Sequence, residues 1–440
     1  MNALSKLELF STQMDLEVGG ENEGRPLPLR PKTRPDRPEV LQSCARAPLK
    51  TNLQAKQESL GITQAVMPGG KSITLLKTLL TSACERNCFY CPFRAGQNYR
   101  RATFTPDEMA STFMTMYRAG MVEGLFLSSG IIKGGVSTQD RLIDTAEILR
   151  NKHNYTGYLH LKIMPGAEKD QVRRSMQMAS RVSVNLEGPN TKRLALLAPK
   201  KIFFEELLEP LKWVEEIRKS EVPHGMWNDS SVQRQSRRPG QRCPVQWQSR
   251  RPGQRWPSST TQFVVGAVGE SDLELLSTTA YLYENAGLSR TYYMAFRPVP
   301  GTPLEDHPPE DPWRRHRLYQ ASFLLRDYGF DMEELPFDPK GDLSLTMDPK
   351  QSWALDNLSQ SPVEVNQADR ELLLRVPGIG PKGARSILQA RRNTTFRQLG
   401  DLKMIGVNPG RPAPFVLLDG KRPDHQLRLP LPQKALKIQS

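Results

Sequence analysis

Cys84, Cys88 and Cys91 stand within eight consecutive residues, Cys84-Glu85-Arg86-Asn87-Cys88-Phe89-Tyr90-Cys91, and account for three of the chain's five cysteines. The spacing is C-x3-C-x2-C. A tetrahedral structural zinc asks for four protein ligands, and an ordinary ferredoxin-type cluster asks for four thiolates. Three thiolates on one loop suit a four-iron cluster that leaves one iron open to an external ligand. A small molecule bound at that iron can be given an electron, so the spacing points to radical chemistry. The competing reading is a zinc or redox site, and no fourth Cys or His clusters with the three to complete one.

A second pattern lies near the other end, at Val376-Pro377-Gly378-Ile379-Gly380-Pro381-Lys382-Gly383-Ala384-Arg385. A helix is expected over 366–375 with Leu372 and Leu373 inward, then a turn, then a helix from about Lys382 to Arg391. The glycines let backbone N–H groups of the turn approach a phosphate at the start of the second helix. Lys382 and Arg385 add charge there. Such contacts grip a nucleic-acid backbone without reading its sequence. The alternative is a helical hairpin used for protein docking.

Both patterns need elements to hold them. From Ser72 onward short apolar runs alternate with helical ones. Strands are expected at 73–81, 125–127, 158–163, 182–187, 261–267 and 291–296. Thr105-Pro106-Asp107-Glu108 and Ser271-Asp272-Leu273-Glu274 are capping boxes that open two of the intervening helices. Six β/α steps imply a parallel sheet covered by helices, either doubly wound or a complete or partial barrel. Chemistry in such folds gathers at the carboxyl ends of the strands. The cysteine loop, Ser128-Ser129-Gly130, Glu187 and the turn from Gly266 to Glu270 all fall there. Ser128 and Ser129 also read as a helix N-cap, and Asn185 and Glu187 as an ordinary polar strand end.

The expected organisation is a polar, partly disordered extension over 1–60 and the α/β domain over 61–304. A connector with a helix follows over 305–361, then the hairpin over 362–408 and a tail over 409–440. Residues 222–259 form an Arg/Pro-rich insertion in which QSRRPGQR occurs twice with a period of 13. That composition buries no core; it reads as a duplicated surface loop or as a basic arm. The net charge is +14, but seven arginines between Ser230 and Gly269 carry half of it. Charge alone therefore does not establish nucleic-acid binding. Only Cys44 and Cys243 lie outside the loop, which excludes a disulfide framework and fits a reducing compartment. No apolar run reaches membrane-spanning length and no signal-peptide core is present. A cytoplasmic protein with no membrane association is expected.

The cysteine loop, with Tyr90 just before its third cysteine, resembles the signature of the radical S-adenosylmethionine (radical SAM) superfamily, and the resemblance spans about Ser72–Leu304. It implies an α/β fold, a partial (β/α)6 TIM-like barrel, with Cys84, Cys88 and Cys91 holding a [4Fe–4S] cluster. The open iron of that family takes the amino and carboxylate groups of S-adenosyl-L-methionine, and reduction releases a 5′-deoxyadenosyl radical. The resemblance places Tyr90 near the adenine and Ser128, Ser129 and Gly130 where the family commonly has Gly-Gly-Glu for the methionine amino group. The acid is missing here. It also gives Asn185 and Glu187 to the ribose or methionine end, and Gly266 and Gly269 to a turn beside the adenine.

The segment with Gly378, Ile379, Gly380, Lys382, Gly383 and Arg385 resembles a helix-hairpin-helix module of DNA-repair proteins, a small all-α C-terminal domain. Phe396–Leu399, Asp401-Leu402 and Ile405–Val407 resemble a degenerate second half. Taken together, the phrases from about Ser72 to Lys421 resemble radical SAM proteins assigned to DNA modification or repair. That resemblance implies DNA as partner, a uracil-DNA-glycosylase-like protein beside it and an electron donor of flavodoxin or ferredoxin type. An RNA substrate, or a DNA-binding iron–sulfur adaptor that recruits a glycosylase, are the alternatives. It names no catalytic residue beyond the cofactor sites.

Overall fold

The computed structural model describes residues 1–14, 59–66, 72–221 and 256–424. Two compact units divide the chain between Arg315 and His316. Cys44, Cys243 and both QSRRPGQR copies lie outside the described residues.

The first unit runs α1 (Ala3–Met14), β1 (Ile62–Val66), β2 (Ser72–Leu79), α2 (Pro106–Arg118), β3 (Gly124–Ser128), α3 (Gly134–Glu147), β4 (Tyr158–Lys162), α4 (Lys169–Met178), β5 (Arg181–Ser183), α5 (Thr191–Leu197), α6 (Glu209–Ser220), β6 (Ser258–Val265), α7 (Asp272–Asn285) and β7 (Arg290–Ala295). Sheet order follows chain order, with no pairing of β7 to β1 among the described residues. Strands β2 to β7 are parallel, which makes the expected partial (β/α)6 barrel. The sequence reading lacks β1, which pairs antiparallel with β2. Its five residues include Thr63 and Gln64 and carry no apolar run to announce it.

Both expected capping sites start helices. Thr105 Oγ1 accepts the Glu108 N–H at 3.2 Å. Ser271 and Glu274 bond reciprocally at 3.2 and 2.9 Å, satisfying two first-turn donors. Residues 3–14, placed in the loose extension by composition, instead form α1. Leu7 and Phe10 are each 1 % exposed, and Lys6 Nζ reaches Glu108 Oε2 at 2.6 Å. The Pro/Arg-rich character that suggests looseness begins only at Arg25 and Pro26, beyond this helix.

Alternation along the strands divides the sheet into unlike faces. One carries Leu76, Leu125, Leu127, Leu159, Leu161, Val182, Phe263 and Val265, all at most 1 % exposed. The other carries two rows set by the register, Lys77, Phe126, His160, Arg181 and Ser258 in one and Ser183, Thr260 and Arg290 in the next. A parallel sheet covered on both faces is apolar on both; this one mixes Lys77, His160, Arg181 and Arg290 with buried Leu75, Val264 and Met294 on its second face. At the entrance to 222–255, Trp256 Nε1 donates to the Glu221 carbonyl at 2.9 Å and Arg218 Nη2 donates to the Pro257 carbonyl at 2.6 Å.

Helix α8 (Pro312–Asp327) spans the division. The second unit continues with α9 (Pro349–Leu358), β8 (Val363–Glu364), α10 (Arg370–Arg375), α11 (Pro381–Ala390), α12 (Leu399–Met404) and β9 (Val416–Leu417). One core joins Ala354 and Leu358 to Leu373, Leu374, Ile379 and Ile387, and to Phe415, Val416 and Leu418. The packed unit thus reaches beyond 362–408 at both ends, because β9 pairs with β8 and brings the apolar run of the tail inward. On α10 the buried pair is Leu373 and Leu374, whereas Leu372 is 38 % exposed. The helix begins only at Arg370, four residues later than expected, and its inward face is shifted.

Beneath the 377–380 turn lies Lys350, 8 % exposed. Its Nζ donates to the Ile379 carbonyl at 2.6 Å and stands 4.6 Å from the centre of the Tyr328 ring. Burial pushes this ammonium down to about 7; Asp348 opposes the shift, while Arg411 and Arg375 reinforce it. The unfolded chain then holds a proton that the folded unit releases between about pH 7 and the ordinary lysine range near 10.4. Stability should therefore rise with pH across that window, by up to about 1.4 kcal/mol per pH unit for one proton. Denaturant midpoints of the wild-type chain and Lys350→Met, followed from pH 6.5 to 9.5, test this. The wild type should gain on the variant as pH rises; parallel curves would show that the lysine stays charged.

Candidate functional site

The cysteine loop follows β2 directly, and its shape is fixed by backbone hydrogen bonds to two neighbouring segments. Gly130 N–H donates to the Thr81 carbonyl at 2.7 Å, Glu85 N–H to Ile131 at 2.9 Å and Phe89 N–H to Leu197 at 2.8 Å. The Ile131 N–H lies 3.5 Å from Cys84 Sγ, a contact that stabilises a thiolate. One side chain does more than any of these. Arg101 donates through Nη1 to the carbonyls of Ser82 and Phe93 at 2.6 and 3.0 Å, and through Nη2 to those of Arg94 and Gln97 at 3.0 and 3.3 Å. Arg86, inside the loop, pairs with Glu206 at 2.6 Å and also donates to the Lys200 carbonyl.

Cys84, Cys88 and Cys91 line one cleft with Tyr90, Ser128, Ser129, Gly130, Asn185 and Glu187. It opens at the carboxyl ends of β2 to β5, where the sequence reading gathers them. Gly130 is required there: a Cβ would collide with the Ala83 carbonyl and lie 3.2 Å from Cys84 Cβ. Ser129 Oγ donates to the Gly130 carbonyl at 2.7 Å. Neither serine caps α3, whose N-cap is Lys133 with a left-handed backbone. Glu187 is 1 % exposed and also left-handed, with φ 63°. Its Oε1 accepts from Lys201 Nζ at 2.9 Å.

The electrostatics of this pocket are those of a buried, balanced site. Burial would raise the Glu187 carboxyl, but Lys201 and Lys162 outweigh it and hold the group below its ordinary value. Burial pushes the Cys88 thiol up, against the pull of Lys201. Burial likewise works against the Lys201 charge, but Cys88 and Glu187 keep the ammonium above its ordinary value. The donor set, three thiols on a loop backed by an N–H and a cation, fits a cluster with an open iron. Among the described residues no three His, Cys, Asp or Glu side chains close on a single ion.

Gly266 and Gly269 do not line this cleft. Both have positive φ, 87° and 69°, and their turn wraps the buried Glu270 carboxylate, which accepts from the Gly266 and Val268 N–H groups. Sequence reasoning missed Arg86, Lys162 and Lys201 as cleft residues. Lys162 is legible as the last outward position of a strand. Lys201 sits between α5 and the turn of helix that follows, where no pattern marks it.

In the second unit, Gly378 has φ 86°, and a Cβ there would press on Pro412 and Arg411. Gly380 is the N-cap of α11 and offers its first turn no side-chain acceptor. Ile379 is fully buried, while Lys382 and Arg385 are exposed on the first turns of that helix. Gly383 packs its Cα side toward Val407, 3.1 Å from where a Cβ would be.

Residues 78–227 match the Radical SAM superfamily, and residues 359–407 match the helix-hairpin-helix motif. No curated protein matches the sequence. Among solved structures, the FeFe-hydrogenase maturase HydG from Carboxydothermus hydrogenoformans is similar at 12% identity over 57% of this chain and 51% of its own, with a TM-score of 0.41. Methylornithine synthase (PylB) is similar at 13% identity over 58% of this chain and 62% of its own, TM-score 0.41. The radical S-adenosylmethionine methyltransferase TsrM from Kitasatospora setae gives 12% over 52% and 38%, TM-score 0.35. The chain thus spans less than two thirds of each of these proteins. No helix of the described residues is long and apolar enough to cross a membrane. The segment that matches the Radical SAM superfamily thus holds the three-cysteine loop, in a superfamily whose members use a [4Fe–4S] cluster and S-adenosylmethionine, and the same chain carries a match to the helix-hairpin-helix motif.

Proposed function

We propose that the chain is a radical SAM enzyme acting on a nucleotide in DNA. The observation that carries this reading is one chain holding both a cysteine-lined cleft at the strand ends and a glycine-turn hairpin with exposed basic residues. Cys84, Cys88 and Cys91 are the cluster ligands. When bound, the cluster supplies the electron that cleaves the sulfonium of S-adenosylmethionine and releases a 5′-deoxyadenosyl radical. The chain's own residues orient and enclose. Tyr90 closes one wall, and Gly130 lets the β3 end approach Cys84. Ser128, Ser129, Gly130, Asn185 and Glu187 supply the polar contacts to the cofactor. Lys201 holds the Glu187 carboxylate in place.

Arg101 is a positioning residue. Its planar fork satisfies four carbonyls of an irregular loop, and lysine, a single point charge, cannot reproduce that. The hairpin supplies grip: N–H groups at the start of α11 with Lys382 and Arg385 suit phosphates and carry no base specificity. A base reaching a buried cofactor must leave its stack. An electron donor of flavodoxin or ferredoxin type and a glycosylase-like partner belong to this reading, supported by the family resemblance alone.

Reduced anaerobically, the wild-type enzyme should form 5′-deoxyadenosine from S-adenosylmethionine, and Cys84→Ala should fall to background; turnover in that variant would refute the assignment. Arg101→Gln and Arg101→Lys should each lose iron and sulfide and broaden the reduced-state EPR signal while far-UV circular dichroism stays intact. A full cluster with an unchanged spectrum would remove Arg101 from that role. Lys382→Ala with Arg385→Ala should weaken duplex DNA binding and flatten its salt dependence by about 0.9 per lost phosphate contact in log–log slope. Equal binding of duplex RNA and DNA would instead favour an RNA substrate.

A further inference from the structure

The segment that carries Lys201 is fastened to the cysteine loop itself. Phe89 N–H donates to the Leu197 carbonyl at 2.8 Å, and Arg86 Nη1 donates to the Lys200 carbonyl. Lys201 N–H donates to the Ala198 carbonyl at 2.9 Å, which tightens the turn between them. Beyond it, Ile202 N–H reaches Glu206 Oε2 at 2.9 Å, while Oε1 of the same carboxylate pairs with Arg86 at 2.6 Å. These bonds set the Lys201 backbone at a fixed place beside a loop that presents three thiols.

The side chain that leaves this anchored backbone is only 9 % exposed and ends in the cleft. Its Nζ stands 2.9 Å from Glu187 Oε1, and the ammonium lies within Coulomb reach of both Cys88 and Cys91. At Cys88 the cation outweighs Glu187, which acts there in the opposite sense. Glu187 is held as firmly: its N–H donates to the Gln262 carbonyl at 3.0 Å, and its carbonyl accepts the Val264 N–H at 2.8 Å. A buried ion pair is a weak source of stability, since well-packed apolar residues of like volume often serve as well or better. What distinguishes this pair is its place, with the cation on the side of the thiols.

We propose that Lys201 sets the reduction potential of the cluster, with Glu187 as its counterweight. One electron passes from the external donor to the cluster, with no bond formed or broken, and adds negative charge to a centre held by three thiolates. A fixed positive charge beside two of those thiolates favours the electron-rich state, and the Glu187 carboxylate opposes it. Iron–sulfur potentials follow net charge and solvent exposure, and a charge acts more strongly in a buried site than in water. Lys201 is thus a positioning residue, acting through the field it lays on Cys88 and Cys91. The inference rests on those cysteines as cluster ligands and not on DNA as the substrate.

The test is an EPR-monitored potentiometric titration of the full chain, reconstituted anaerobically with iron and sulfide. S-adenosylmethionine and DNA are both left out, so neither cofactor affinity nor substrate enters the reading. Wild type, Lys201→Met, Lys201→Arg and Glu187→Gln are compared at matched iron and sulfide content. At the potential that half-reduces the wild type, Lys201→Met should show a reduced-to-oxidised ratio at least tenfold lower, a midpoint about 59 mV or more further negative for one electron. Lys201→Arg keeps the charge and should shift less than tenfold. Glu187→Gln should move the ratio upward. A merely structural role would cost iron without giving the two neutral variants shifts of opposite sign. A fall of less than tenfold in Lys201→Met, or shifts of one sign in both neutral variants, would overturn the proposal. Should Lys201→Met fail to load iron, Glu187→Gln decides, and a ratio that does not rise overturns it. A full cluster retained in Cys84→Ala is a different result: it would remove the ligand assignment on which this inference stands.

Discussion

Eight residues that present three thiolates have no secondary structure to hold them, and one guanidinium does most of that work. Arg101 sits ten residues beyond the last cysteine and gathers carbonyls from Ser82, before the loop, and from Phe93, Arg94 and Gln97, after it. Carbonyls of an irregular buried segment need partners, and here a single residue supplies four. The rest of the cleft is organised around the loop thus fixed. The end of β3 comes close enough to Cys84 to demand Gly130, and Phe89 is tied to Leu197 at the end of α5.

A buried ion pair completes the cleft. Glu187 and Lys201 are almost wholly enclosed, and a pair in that setting owes its survival to geometry and to neighbouring charges more than to net gain. The left-handed backbone at Glu187 is a cost accepted at a residue that is not glycine. Such strain sits where chemistry is expected. The same logic of enclosure returns in the second unit, where Lys350 carries the Ile379 carbonyl beneath the hairpin turn.

Much of this was legible in the sequence, for reasons that differ by residue. The strands β2 to β7 announce themselves because one face of each is apolar, and Thr105 and Ser271 mark helix starts through local side-chain bonds. The cysteines, Tyr90, Ser128 to Gly130, Asn185 and Glu187 were readable as a group because strand ends converge. Lys201 was not, since its place depends on a bond across fourteen residues with no repeat or pattern behind it. Gly266 and Gly269 look like a ligand turn and are indeed left-handed, but the acceptor they enclose is the chain's own Glu270. Spacing reveals backbone freedom and stays silent on what fills it. The cations on the second face of the sheet were hidden for the opposite reason: each stands alone in its strand, and only register assembles them.

The bonds from Trp256 to Glu221 and from Arg218 to Pro257 have an evolutionary consequence. They fasten the residues that flank 222–255 to each other, so both ends of that stretch are held at fixed points beside the sheet. Lengthening a chain between fixed ends costs little, about 0.6 kcal/mol for each doubling. A thirteen-residue unit such as QSRRPGQR with its spacer can accordingly be copied or deleted between one lineage and the next without disturbing β5 or β6. Length between those fixed points is free to change, and comparisons across relatives should find it varying faster than anything that touches the cleft.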